Sequence, residues 1–189
     1  MKHNQKMHLI TDLLNKREKN LRLEASNLQL EDVKEDKNFN STVEKFKKKH
    51  LLTPVKIEEP VIKRHQASIK KYSPNYENPM GGEREVYEIV VAFPFTGSPE
   101  LFEVNPVEVR YPNGMIYQPV GSNITLDIIE LNELNKDKAY AEAKNRMSAT
   151  KAIIKENNIQ AEKWNEIMGS QIEQLLDKQR KLVIDFNTN

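Results

Sequence analysis

One stretch constrains this chain more than any other: EVYEIVVAFPFTGSPELFEVNPVEVRYPNGMIYQPVGSNITLDIIEL, from Glu85 to Leu131. Tyr87, Ile89, Val91 and Phe93 alternate there with Val86, Glu88, Val90 and Ala92. Both faces of that strand are largely apolar, so it reads as central in a sheet. Thr96-Gly97-Ser98-Pro99 reads as a turn, with Gly97 in a conformation that favours glycine. LFEV follows as a short strand. Val107, Val109 and Tyr111 then alternate with Glu108 and Arg110 as a half-buried strand. Asn113-Gly114 predicts a hairpin, because both turn positions favour positive φ, and MIYQP would return from it. Ile124, Leu126 and Ile128, opposite Thr125 and Asp127, complete about four or five antiparallel strands. A sheet this small needs a cover on one face.

The flanks carry helical periods. Met7, Ile10, Leu14, Arg17 and Leu21 recur at three and four residues, with Leu13 beside them, which predicts an amphipathic N-terminal helix within residues 1–26. After Ser26 the pattern decays into a polar connection. Ser41-Thr42-Val43-Glu44 fits a capping box and predicts a short helix near 41–52, ending before Thr53-Pro54. Val43, Phe46 and His50/Leu51 would form its apolar edge. Pro54 and Pro60 exclude a central strand, so residues 27–84 read as a basic, largely extended arm with a loop from Ser73 to Glu85.

Towards the C-terminus, Tyr140, Ala143, Met147, Thr150 and Ile154 share one helical face. Trp164, Ile167/Met168, Gln171/Ile172, Leu175, Gln179 and Leu182/Val183 share another. Asn157-Asn158 reads as a break between them. Residues 132–186 are therefore expected to form a long helical hairpin, packed on the sheet block 85–131 or projecting from it. The fold class is α+β: a small antiparallel sheet, a C-terminal helical hairpin and an N-terminal amphipathic helix.

The residues argue against several chemistries. The chain has no cysteine, which removes disulfides, thiolate metal sites and cysteine nucleophiles. His3, His8, His50 and His65 fall in no metal-ligand spacing. Gly81-Gly82 is followed by acidic residues that would repel a phosphate. Ser98 precedes a proline and a strand, unlike a nucleophile elbow. Tyr140 and Lys144 have a Tyr-x-x-x-Lys spacing, but no dinucleotide fingerprint precedes them. Glu142-Ala143-Lys144 falls on a helix, whereas a nuclease core wants Glu-x-Lys on a strand. Glu88 and Asp127 are the one carboxylate pair that strands could bring together for acid–base work. The expectation is no catalytic residue, no cofactor and no metal.

Binding is the remaining class. Net charge is +1, so no global field recruits nucleic acid or a membrane. Locally, basic residues outnumber acidic ones nine to two from Lys45 to Lys71, and acidic outnumber basic eight to two from Tyr72 to Ile129. Lys45, Lys47, Lys48, Lys49, Lys56, Lys63, Arg64, Lys70 and Lys71, with Tyr72 and Tyr76 nearby, would suit phosphates and unpaired bases. They would equally suit an acidic partner or the acidic sheet region of the same chain. Tyr140, Met147, Ile154, Trp164, Met168, Ile172 and Leu175 are the candidate helix interface. The favoured expectation is a non-catalytic protein-interaction or assembly subunit acting through its amphipathic helices, with self-association included. The alternative is a nucleic-acid-binding accessory module using Lys45–Lys71. With neither a leader-like N-terminus nor an apolar run long enough to span a bilayer, no membrane association is expected and the chain reads as cytoplasmic.

Overall fold

The structure is a computed structural model that describes residues 8–74, 81–106 and 116–188, without the side chains of 127–129 and 188. In chain order the elements are β1 (His8–Leu9), α1 (Ile10–Ala25), α2 (Leu30–Val33), α3 (Asp36–His50), β2 (Lys56–Ile57), β3 (Val61–Tyr72) and β4 (Gly82–Thr96). A 3-10 turn (Pro99–Phe102), β5 (Val104–Asn105), β6 (Asn123–Leu131), α4 (Lys136–Arg146) and α5 (Ser148–Thr188) follow. The class is mixed helix and sheet, with an antiparallel sheet, an N-terminal helix and a long C-terminal helix. Two compact units divide the chain: a helical unit of Met1–Pro54, Glu103–Glu108 and Lys155–Asn189, and a sheet unit of Val55–Phe102 and Val109–Ile154.

In the helical unit, Leu21 and Ala25 of α1, Val43 and Phe46 of α3, and Met168, Ile172 and Leu176 of α5 form one apolar cluster. Leu28, Phe39, Leu51, Trp164 and Leu175 pack around it. Leu21, Val43, Phe46, Met168 and Ile172 lie on the stripes their spacing predicts; Ala25 and Leu176 are not among the residues predicted, and Ile167 and Gln171 of the α5 stripe are exposed. The cap of α1 is local, with the Leu9 N–H donating to the Asp12 carboxylate at 3.2 Å. The end of α3 is capped from another helix: the Arg17 guanidinium donates to the carbonyls of Lys49 and His50 at 3.1 and 2.9 Å, supplying donors to groups that have no partner within their own helix.

Two expectations about helix ends fail here. Helix α3 begins at Asp36, not at Ser41, and Ser41 lies exposed within it. The hydroxyl the structure uses is that of Thr42, which donates to the carbonyl of Asp32 at 3.1 Å. The C-terminal hairpin is also replaced. Helix α5 runs through Asn157-Asn158 without a break, and the interruption falls at Met147, between α4 and α5. Asn157 is fully buried, and its side-chain amide donates to the carbonyl of Val104 at 2.9 Å. The asparagine that resembles a helix stop is a tertiary contact. Asn165, two turns further on, accepts from the Leu52 N–H at 3.0 Å and donates to the Leu52 carbonyl at 2.6 Å. Its amide thereby does for Leu52 what a neighbouring strand would do. The two-residue parallel ladder of β1 with β5 pairs His8 with Val104 and Leu9 with Asn105.

In the sheet unit β4 is central, as its two apolar faces predict. Along one edge it pairs antiparallel with β2 and β3, and along the other with β6. Residues 61–72, expected as an extended arm, are therefore an edge strand. No proline interrupts them, and Pro60 sits just before they begin, where an edge strand tolerates it. Strand β4 starts at Gly82, inside the expected loop. At its entry Gly81 has φ +61°, and a Cβ there would meet the Tyr72 carbonyl oxygen at 2.7 Å, so both conformation and space select glycine. Gly97, with φ +103°, makes the turn that its sequence context predicts. LFEV is divided between the 3-10 turn and β5. The Asn113-Gly114 hairpin and the strand from Val107 to Tyr111 lie outside the described residues, and Ile116–Pro119 carries no regular structure.

Val86, Ile89, Val91, Ala92 and Phe93 of β4 and Ile124 and Leu126 of β6 are buried. Helix α4 packs against β4 and β6, and Ala143, Met147, Thr150 and Ile154 are buried along the predicted stripe, with Tyr140 half-buried at its edge. Phe95 and Phe102 meet edge to face at 4.9 Å, and the Lys151 ammonium sits 5.4 Å from the Phe93 ring centre.

Candidate interaction surface

The basic segment is distributed over both units. Lys45, Lys47, Lys48 and Lys49 lie on α3 in the helical unit, whereas Lys56, Lys63, Arg64, Lys70 and Lys71 lie on β2 and β3 in the sheet unit. Four of these lysines, Lys47, Lys49, Lys56 and Lys70, pair with carboxylates of their own unit, Lys56 with Glu58 at 3.6 Å. Lys47 pairs with Glu173 of α5 at 2.5 Å and with Glu44 at 3.3 Å, and the hydrogen bond to Glu173 raises its pKa. Lys49 pairs with Glu24 of α1, whose other oxygen lies 2.8 Å from Nε2 of the buried His50. The Lys49 hydrogen bond, opposed by desolvation and helped by His50, holds Glu24 below the usual carboxylate range.

Lys70 makes another set. Register sets Glu88 of β4 opposite Glu130 of β6, two like charges that would repel directly across the strands. Lys70, from β3 on the other side of β4, pairs with both: with Glu88 at 2.8 Å and with Glu130. Gln66 also donates to Glu88 at 2.8 Å, and the Tyr72 hydroxyl lies 3.4 Å from Glu130. The hydrogen bonds to Glu130 and Glu88 push the Lys70 pKa up, and the bond from Lys70 pulls the Glu88 pKa down. Lys70 and Glu88 are thereby held in their charged forms. A lysine held protonated is neither base nor nucleophile, and a carboxylate held ionised is no acid. The cluster is built for cohesion. Backbone register sets Glu130, not Asp127, opposite Glu88. Asp127 falls where the β4–β6 register shifts, and its side chain lies outside the described residues.

Lys45, Lys48, Lys63, Arg64 and Lys71 are exposed. Of the histidines, His8 and His65 are exposed, His50 is buried against Glu24, and His3 lies outside the described residues. Among the described residues no three histidine or carboxylate side chains converge as a metal site. A shallow groove of about 470 Å³ runs between the end of β6 and α4, lined by Glu130, Leu131, Lys138, Ala141, Glu142 and Arg146. Its charges are largely matched, with Arg146 on Glu142 at 2.7 Å and Lys138 on Glu133.

The candidate helix-interface residues divide between core and its margin. Met147, Ile154, Met168 and Ile172 are buried, and Tyr140, Trp164 and Leu175 are half-buried. The exposed apolar surface lies further along α5. Arg180 pairs with Asp36 of α3 at 2.7 Å and lies over the Phe39 ring at 4.7 Å. Beyond it Leu182 is 54% exposed and Phe186 86% exposed, with Val183 half-buried. Sequence reasoning followed this stripe to Leu182/Val183 but missed Phe186. The spacing from Leu175 through Gln179 and Leu182 to Phe186 was there to extend it. Among the described residues no helix is long and apolar enough to cross a membrane. Comparison with protein-family models, with curated proteins and with solved structures gives no match to this chain.

Proposed function

We propose that the chain is a non-catalytic interaction subunit that holds a protein partner on the distal end of α5. One observation carries this: the stripe that forms the helical core continues past Arg180 as Leu182, Val183 and Phe186, with no described element over Leu182 and Phe186. Covering a phenylalanine and a leucine gains about 1.5–3 kcal/mol for each side chain. An apolar stripe on an otherwise charged helix is a device by which helices find partners. The test is affinity capture by the full chain and by Phe186→Glu, with Ile69→Glu, a 73% exposed apolar residue on β3, as the control. A specific partner retained by wild type and Ile69→Glu but lost by Phe186→Glu is the expected result. Equal capture by all three chains would end the proposal. The nucleic-acid alternative draws on the exposed Lys45, Lys48, Lys63, Arg64 and Lys71. Nucleic acid that co-purifies and is stripped by salt would favour it.

A further inference from the structure

We propose that the outer edge of β3 takes up an extended segment of a partner protein in which acidic and apolar residues alternate, added to the sheet as a further strand. The surface uses only residues of the sheet unit and does not rest on the partner-binding reading of α5. Among the described residues β3 pairs with β4 alone, so its other edge carries main-chain donors and acceptors with no described strand against them. From Arg64 to Tyr72 the register with β4 is unbroken, so that edge is regular enough to continue a ladder. Burial agrees: Lys63 to Ala67, Ile69 and Lys71 are all exposed.

The side chains select the occupant. Alternation puts Arg64, Gln66, Ser68 and Lys70 on one face and His65, Ala67, Ile69 and Lys71 on the other. On the first face the Lys70 ammonium turns inward to Glu88 and Glu130, which leaves Arg64 as the exposed cation. An added strand lies about 5 Å from β3 and about 10 Å from β4. Its carboxylates on that face meet Arg64 before Glu88, whose charge Lys70 already bridges. On the second face Ala67 is exposed and Ile69 is 73% exposed, while Glu85 and Glu83 of β4 stand opposite Ile69 and Lys71. An apolar row suits the added strand there, and an acidic one does not. A second copy of β3 fits poorly. Val61–Tyr72 carries Lys63, Arg64, Lys70 and Lys71 and no carboxylate, so self-pairing sets like charges together. A nucleic acid would match the cations but has no peptide groups to continue the ladder.

The probes are end-blocked octapeptides of repeated Glu-Val, Glu-Pro or Lys-Val, titrated against the full chain by fluorescence anisotropy, with amide hydrogen exchange to locate the bound peptide. Glu-Val is expected to bind and to slow exchange within residues 61–72. Glu-Pro keeps the charge but cannot form a ladder, and Lys-Val keeps the ladder but reverses the charge. Both are expected to bind at least about tenfold more weakly. Arg64→Glu is expected to weaken Glu-Val binding about fivefold and to strengthen Lys-Val binding, an exchange of preference that unfolding cannot produce. Lys45→Glu makes the same change of charge on α3 and is expected to leave both affinities unchanged. Far-UV circular dichroism of each variant controls for folding. The proposal is overturned if Glu-Val fails to bind at millimolar concentration, or if Glu-Pro or Lys-Val binds as tightly. Slowed exchange outside β3 alone overturns it, as does an equal effect of Lys45→Glu and Arg64→Glu. A single-stranded oligonucleotide that binds where Glu-Val does not would give these cations to nucleic acid instead.

Discussion

The two units solve one problem by different means. In the sheet unit the main chain is satisfied by ladders: β4 gives its hydrogen bonds to β2 and β3 on one edge and to β6 on the other. In the helical unit Leu52 lies in no strand, and Val104 lies in a ladder only two residues long. There the amides of Asn165 and Asn157 on α5 supply the missing partners. A buried backbone group left without a partner costs about 1–3 kcal/mol, so these asparagines are structural in the way a strand is. Charge follows the same division. Lys70 joins three strands by bridging Glu88 and Glu130, whereas Lys47 and Lys49 each join α3 to a different helix. The regular element can take polar residues at its surface; the irregular segment needs them in the interior.

Substitutions can sharpen or break this contrast. The largest effects are expected in the two cores, where each unit depends on apolar packing. Phe93→Ala in the sheet is expected to cost about 3–5 kcal/mol and Ile172→Ala in the helical cluster about 2–5, both read by denaturant unfolding. Next comes the test of the contrast itself. Asn165→Ala leaves both polar groups of Leu52 unpaired and is expected to cost about 1–3 kcal/mol. Gln66→Ala removes an exposed side-chain amide in the sheet unit and is expected to stay within about 0.5 kcal/mol. Equal losses would show that the asparagine is not standing in for a ladder. Gly81→Ala, which forces a Cβ towards the Tyr72 carbonyl at positive φ, is expected to destabilise by about 1–2 kcal/mol, visible as a lower thermal midpoint.

The smallest expected effect is a pH dependence. Glu88 has a depressed pKa, so its contribution is present above the unfolded value and disappears as pH falls through the folded one. Lys70 has a raised pKa, so its contribution is present below the unfolded value and fades as pH rises through the folded one. The bridge therefore contributes fully between about pH 4.3 and about pH 10.4 and weakens outside that window. Stability of wild type and of Lys70→Met, compared from pH 7 down to pH 3, should converge at the acid end. A difference that stays constant with pH would mean that Lys70 contributes through its aliphatic stem and not through its charge.

By itself the sequence determined whatever rests on period or on a single residue's conformational preference. Alternation made β4 central, three-and-four spacing located the buried faces of α1, α3, α4 and α5, and Gly97 marked its turn. Such signals are local, because side-chain direction repeats along the chain wherever the backbone is regular. The tertiary structure alone decided where polar groups send their hydrogen bonds. Asn157 has the composition of a helix stop until Val104 is beside it, and Ser41 has that of a cap although α3 starts at Asp36 and the hydroxyl bonded to the Asp32 carbonyl is that of Thr42. The lysines of β3 look like a free cationic arm until register brings Lys70 to two glutamates that its neighbours Lys63 and Lys71 do not reach. A hydrogen bond or ion pair depends on the distance to a group far along the chain, and no local period encodes that distance.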